Sequence, residues 1–383
     1  MSDTPRPWWQ SWTVIAPPIA LVVLLLTFGR HILVWLAVLL AVVLAVAVLA
    51  AVHHAEVVAH RVGEPLGSLL LAVAVTVIEV ALIVTLMISG ADGADSLARD
   101  TVFAAVMITT NGIVGVSLLT GALRSGVAVF NPEGTGAALA TVATLSALSL
   151  VLPTFTSVPG PKFSGAQLTF AALSSIALYL LFVTAQTGRQ RGDFLPVPAP
   201  GSGGAPTTES VPPAQSGSTP VPHEVGHEAT PAARAALLSL FLLLVALVDV
   251  VGLAKVLSHS IESAVHAVGA PPSFVGVVIA LLVLAPETLA AVRAARREQV
   301  QISLNLGYGS AMASIGLTIP AIAVASIWLK GPLLLGLGAT QLVLLTLTVV
   351  VSTLTVVPGR ATRLQGGIHL VLLAAFVFLA IKP

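Results

Sequence analysis

Residues Glu56, His60, Gly63 and Pro65 spell E-x3-H-x2-G-x-P, and Glu262, His266, Gly269 and Pro271 spell it again 206 positions later. A pattern repeated at one offset marks a duplicated unit, which confines the chain to folds made of two like halves. Each copy runs into an apolar segment holding one acid: Glu79, 14 residues after Pro65, and Glu287, 16 after Pro271. The chain is 56% hydrophobic and 9% charged, and several apolar runs exceed the roughly 20 residues that cross a bilayer. A carboxylate in such a run is costly to desolvate, so an ionisable residue there is read as functional.

Turn residues and charges divide the chain into eleven expected spans, at about 13 to 28, 32 to 52, 66 to 90, 101 to 123, 136 to 156, 166 to 186, 233 to 254, 273 to 294, 301 to 328, 333 to 356 and 364 to 381. The expected fold is an all-α polytopic membrane protein: an extra N-terminal helix within 1–30, a five-helix repeat within 31–187, a linker at 188–232 and a second five-helix repeat within 233–383. The linker is rich in Pro, Gly, Ser and Thr without apolar periodicity, and reads as disordered. Trp8, Trp9 and Trp12 read as an interfacial anchor, and no cleaved signal is expected. The absence of cysteine excludes disulfides and thiolate sites. No basic block points to nucleic acid.

Alternate loops divide the 17 Lys and Arg residues unequally. Eleven arginines, from Arg6 and Arg61 to Arg360 and Arg363, fall on one side; Arg30, Arg99, Lys162, Lys255, Lys330 and Lys382 fall on the other. The positive-inside rule then puts the N-terminus and linker in the cytoplasm and the C-terminus outside. On this topology the span bearing Glu79 starts at the cytoplasmic face and the span bearing Glu287 at the outer one. Five spans per repeat, an odd number, force this inversion, a plan common among secondary transporters with midplane sites. Both acids lie roughly 20 Å along their helices, near the middle of a core about 30 Å thick.

Residues around the acids supply further oxygen. Thr76 lies one turn before Glu79, and Pro286 frees a backbone carbonyl of the turn before Glu287. Asn111-x3-Gly115 and Asn305-x3-Gly309, the latter followed by Ser310, form a second matched pair. Carboxylate, amide and carbonyl oxygens suit Ca²⁺ better than a soft metal.

These segments, Gly63-Glu64-Pro65-Leu66-Gly67, Ala74 through Val80, Leu284-Ala285-Pro286-Glu287-Thr288 and Asn305 through Pro320, resemble the two alpha-repeats of bacterial calcium/proton antiporters, in the cation/calcium exchanger superfamily. The resemblance covers nearly the whole chain apart from the linker. It implies one extra helix plus two inverted five-helix halves, with Glu79 and Glu287 as the acids that hold Ca²⁺ or protons. It also implies Asn111, Asn305 and Ser310 as polar ligands on neighbouring helices. The match is not symmetric, since Ile78 precedes Glu79 where the second copy has Pro286.

The expected activity is exchange of Ca²⁺ for H⁺ by alternating access across the bacterial inner membrane, with those ions as substrates and no cofactor. Two carboxylates facing one cavity repel, so the pair takes up protons when metal is absent, and Ca²⁺ displaces them. Either load leaves the site nearly neutral and able to cross the low-dielectric centre, whereas an empty, doubly ionised site is trapped. The alternative ions are Na⁺ or K⁺, held with one carboxylate protonated. No G-x4-G-K-[ST] occurs, which argues against ATP-driven pumping. A membrane-embedded enzyme using His54, His223, His227, Asp249 and the two glutamates is the reading from another class, but it lacks a nucleophile with a local base.

The remaining polar residues have plainer readings. For Glu56, His60, Glu262 and His266, capping and interfacial packing are preferred over gating or a proton relay. Asp249 has no acid at the comparable point of the first copy, and a wet vestibule or helix contact weighs evenly against a place in the site. Gln301 and His369 carry no argument beyond polarity at span ends, and Gly331 to Gly338 serves helix packing or a protomer contact. His223-Glu224-Val225-Gly226-His227 fits H-E-x-x-H, but a zinc peptidase needs it on a helix. Here it follows Pro222 in the linker, so catalysis is rejected, and weak metal sensing by His223, Glu224, His227 and Glu228 is the residual reading.

Overall fold

The computed structural model describes residues 12–30, 32–63, 66–90, 93–197, 232–329 and 331–383. Expectations for Trp8, Trp9, Glu64, Pro65, Lys330 and the linker residues His223 to Glu228 concern residues outside these. The expected disorder of 188–232 is corrected at its start: residues 188–197 are ordered, with a 3₁₀ turn at Arg191–Phe194 and Phe194 buried against Phe182, because this aromatic side chain has an apolar surface to pack on.

Eleven helical segments follow the eleven expected spans. They are α1 (Trp12–Thr27), α2 (Val34–Val62), α3 (Leu66–Ile88), α4 (Ala94–Ser125), α5 (Pro132–Phe155), α6 (Gly165–Thr187), α7 (Ala233–Ala267), α8 (Phe274–Val283 with Ala285–Arg296), α9 (Val300–Ala325), α10 (Ala339–Val356) and α11 (Arg363–Ile381). Among the described residues, eight are long and apolar enough to cross a membrane unaided, and the bent α8 makes a ninth. The whole of α1 and the described side of α3 are shorter apolar helices. Helices are required here because lipid offers no partner for a backbone amide.

Local chemistry sets the ends. Asn131 caps α5 by accepting from the amides of Glu133 and Gly134, with Pro132 at the first helical position. Ser164 and Gln167 form a capping box at the start of α6. Gly63 ends α2 at φ 79°, a conformation that needs no Cβ. Two expectations are corrected. α2 and α7 run about ten residues further than the apolar pattern, so Glu56, His60, Glu262 and His266 lie within helices and not in loops. Residues 331–338 are extended and not helical, because glycine and proline interrupt them.

The halves are related by inversion, and equivalent helices make equivalent contacts. α2 packs along α7; α3 packs on α9 as α8 packs on α4; α6 packs on α9 as α11 packs on α4. The loops repeat the relation. At one face Ala128–Val129 (β1) and Arg360–Ala361 (β2) form an antiparallel ladder joining the α4–α5 and α10–α11 loops. At the other face the amide of Gly336 donates to Pro161 O at 2.9 Å and that of Leu337 to Leu150 O at 2.9 Å, joining the α9–α10 loop to α5 and its following loop. Two apolar clusters result, one around α4, α5, α6, α9, α10 and α11 and one around α1, α2 and α7, with α3 and α8 contributing to both.

Two irregular turns bear on function. α8 bends by 54° at Leu284, where Pro286 removes a donor from the helical ladder. α4 widens to a π-turn over Ile108–Ile113, where the hydroxyls of Thr109 and Thr110 donate to carbonyls of the preceding turn.

Candidate functional site

A cavity of about 190 Å³ opens between α3, α6, α8 and α9. Thr76 and Glu79 line it from α3, Leu284 and Glu287 from α8, and Tyr179, Phe182 and Gln186 from α6. From α9 come Asn305, Gly309, Ser310, Ala313 and Ser314, two rows of residues four apart and therefore one helical face. That face is small and polar, which leaves room. A Cβ built on Gly309 meets nothing within 4 Å.

The two acids reach this cavity by different routes. Glu79 comes on a continuous helix, is 4% exposed, and accepts from Ser314 Oγ at 2.8 Å. Glu287 sits just past the bend of α8, and its Oε2 is buried without a hydrogen-bond partner among the described residues. A buried oxygen left unpaired beside a cavity is suited to a ligand the protein itself does not supply. Thr76 donates to Ala72 O at 2.8 Å, so its oxygen keeps a lone pair for the cavity. Two carboxylates and the hydroxyls of Thr76, Ser310 and Ser314 are hard oxygen donors. No group of three or more His, Asp or Glu side chains that could hold a metal occurs among the described residues.

The asparagines part company. Asn305 lines the cavity, but its amide is committed: Nδ2 donates to Phe194 O at 2.7 Å and Oδ1 accepts from Gln301 Nε2 at 2.9 Å. Asn111 does not line it. Fully buried, it donates to Thr348 Oγ1 at 2.9 Å and pairs through Oδ1 with His369 Nδ1 at 3.1 Å. The placement of Asn111 as a ligand beside the acids is therefore corrected. Depth explains the mismatch: Asn111 lies fourteen residues into its helix from Leu97 and Asn305 only five from Val300, so the matched spacing does not put them at matched positions.

Glu56 and His60 are exposed, and Glu56 interacts electrostatically with Arg293 and Glu287 through the packing of α2 on α8. Glu262 and His266 lie at the opposite end of the molecule, in the last turns of α7. Sequence reasoning missed Ser314, although it stands four residues after Ser310 on the same face. It also missed Gln301, which is buried and bridges Asn131 N at 2.7 Å to Asn305. His369 is likewise buried, not a polar residue at a span end.

Paired acids in one cavity, carried by inverted helices of a polytopic membrane protein, define a secondary cation exchanger. The sodium/calcium exchanger protein family model matches residues 19–188 and 238–382, and the chain belongs to that family, one of transporters and not of enzymes. Among its relatives are y4hA of Sinorhizobium fredii, 43% identical over 85% of this chain and 83% of that one, and the sodium-potassium/proton antiporter ChaA of Escherichia coli, 33% identical over 84% and 82%. The same fold is seen in YfkE, with a TM-score of 0.68 at 16% identity over 97% of this chain and 99% of that one. The H⁺/Ca²⁺ exchanger CAX gives 0.65 at 15% identity over 98% and 94%.

Proposed function

We propose that this protein exchanges Ca²⁺ for protons by alternating access, with Glu79 and Glu287 as the shared site for either load. The observation that carries the reading is that the two acids, on helices of opposite direction, line one cavity. Charge supports the divalent ion: two carboxylates neutralise one Ca²⁺ or two protons, and a neutral site crosses a low-dielectric core most readily. Ser314 holds Glu79 in place for either load, and Ca²⁺ and protons compete for the same carboxyl oxygens. The hydroxyls of Ser310 and Thr76 complete the ligands. Glu56 guards the mouth beside Arg293, with His60 a turn further out; Glu262 and His266 have the matching task at the other face. The arginine-rich face is cytoplasmic in the bacterial inner membrane, with the N-terminus and linker on it and the C-terminus outside.

A second reading replaces Ca²⁺ with Na⁺ or K⁺ and one retained proton, and it is favoured by the 33% identical relative named as a sodium-potassium/proton antiporter. Proteoliposomes with an imposed pH gradient and a lumenal proton dye separate the two. Gradient dissipation on adding Ca²⁺ supports the first; dissipation by Na⁺ or K⁺ alone supports the second, and none by any of the three overturns both. The chain has no cysteine, so single-cysteine labelling from each side tests the orientation directly.

A further inference from the structure

One ionisable side chain has no part in the site above. Asp249 lies midway along α7, is fully buried, and neither carboxylate oxygen has a hydrogen-bond partner among the described residues. Around it on the same helix are Ala246, Val250 and Leu253, packed in the apolar cluster that α7 shares with α1 and α2. The duplication adds a control. At the repeat offset of 206, its counterpart in α2 is Val43, so the fold is built equally well with an apolar side chain here.

An ionised carboxylate with no donor and no counter-charge in such a place costs several kcal/mol. A metal ion does not solve this, since Ca²⁺ takes six to eight oxygens and the neighbours offer hydrocarbon. The charged and titratable groups on the helices that pack against α7 also lie elsewhere. α1 has none within Trp12–Thr27. On α2 they are His53, His54, Glu56, His60 and Arg61, in its last ten residues. On α3 Glu79 is turned to Ser314. On α8 Glu287, Arg293 and Arg296 follow the bend. On α7 itself Lys255, six residues past Asp249, is exposed and lies over the Phe28 ring, while Arg234, His259, Glu262 and His266 stand toward the two ends. Among the described residues no ion pair or hydrogen bond reaches Asp249.

We propose that Asp249 is a proton-binding site separate from the Glu79 and Glu287 cavity. It holds a proton in the conformation described here and releases it only when α7 moves so that water reaches the carboxyl. The balance between this conformation and one with a wetted α7 then depends on pH through Asp249, in addition to any proton exchanged in the cavity. This rests on the exchange reading only for its transport consequence; the protonation itself does not.

Infrared spectroscopy of the full-length protein in liposomes tests the protonation. Wild type, Glu79→Gln and Glu287→Gln are expected to share a carboxylic-acid C=O band at neutral pH that Asp249→Asn lacks and Asp249→Glu restores at a shifted frequency. The same band in Asp249→Asn as in wild type overturns the proposal. The transport arm uses cation-driven proton flux against external pH. Asp249→Asn is expected to move the profile by about one pH unit, a tenfold change in proton affinity, with Asp249→Glu moving it back. An unmoved profile alongside a lost band overturns the linkage to transport. Wild type without cation-driven flux overturns the exchange reading, while the band still decides Asp249. Asparagine is isosteric with the protonated acid, so folding is preserved.

Discussion

Asn111-x3-Gly115 and Asn305-x3-Gly309 share one spacing and meet opposite fates. Gly309 faces open space in the cavity, whereas a Cβ on Gly115 would press on His369 and Leu370 of α11. Asn305 borders the cavity, and Asn111 is sealed among α4, α10 and α11 with Thr348 and His369. The same inverted plan is thus open on the α6–α9 side and closed on the α4–α11 side. What differs is packing against the sixth or eleventh helix, which no residue pattern within α4 or α9 reveals.

The largest effect separates both regions from the acids themselves. Glu79→Gln or Glu287→Gln is expected to abolish cation-coupled proton flux in proteoliposomes while the protein purifies intact; wild-type flux in either would end the shared-site reading. Next, Asn111→Ala strands buried Thr348 and His369 groups and should cost about 1–3 kcal/mol of stability, read as a lowered thermal midpoint in detergent. Gly115→Ala should destabilise by about 1–3 kcal/mol through overpacking, on the same assay. Ser314→Ala removes a bond to a carboxylate and should weaken apparent cation affinity about tenfold with little change in melting. The smallest effect is that of Gly309→Ala, which should leave the thermal midpoint unchanged and trim only transport. Equal thermal shifts for Gly115→Ala and Gly309→Ala would erase the contrast between the two sides.

Much of this was legible in the residues. The repeated Glu-His-Gly-Pro pattern and the odd number of spans per copy gave the inversion, and apolar length gave eleven helices, because bilayer thickness and backbone hydrogen bonding leave few alternatives. Glu79 and Glu287 stood out for the same reason: a charge among hydrocarbon needs a purpose. The polar partners were harder. Asn111 differs from its reading and Ser314 went unread because a helix can turn a hydroxyl or amide toward a cavity or a neighbour, and only the packing of a distant segment decides. Hydropathy likewise stopped α2 and α7 short, since their last turns carry histidine and glutamate while remaining helical.

The pairing of α2 with α7 has a meaning for history. Each is the first helix of its half, and each lies against the other, so the surface joining the halves is one patch meeting its own copy across a two-fold axis. That is the isologous contact of a symmetric dimer. A single five-helix unit inserted in both orientations would assemble through this helix, and in this chain the segment from 198 to 231 joins the two copies. Cut within that segment, the two halves should still find each other as separate polypeptides.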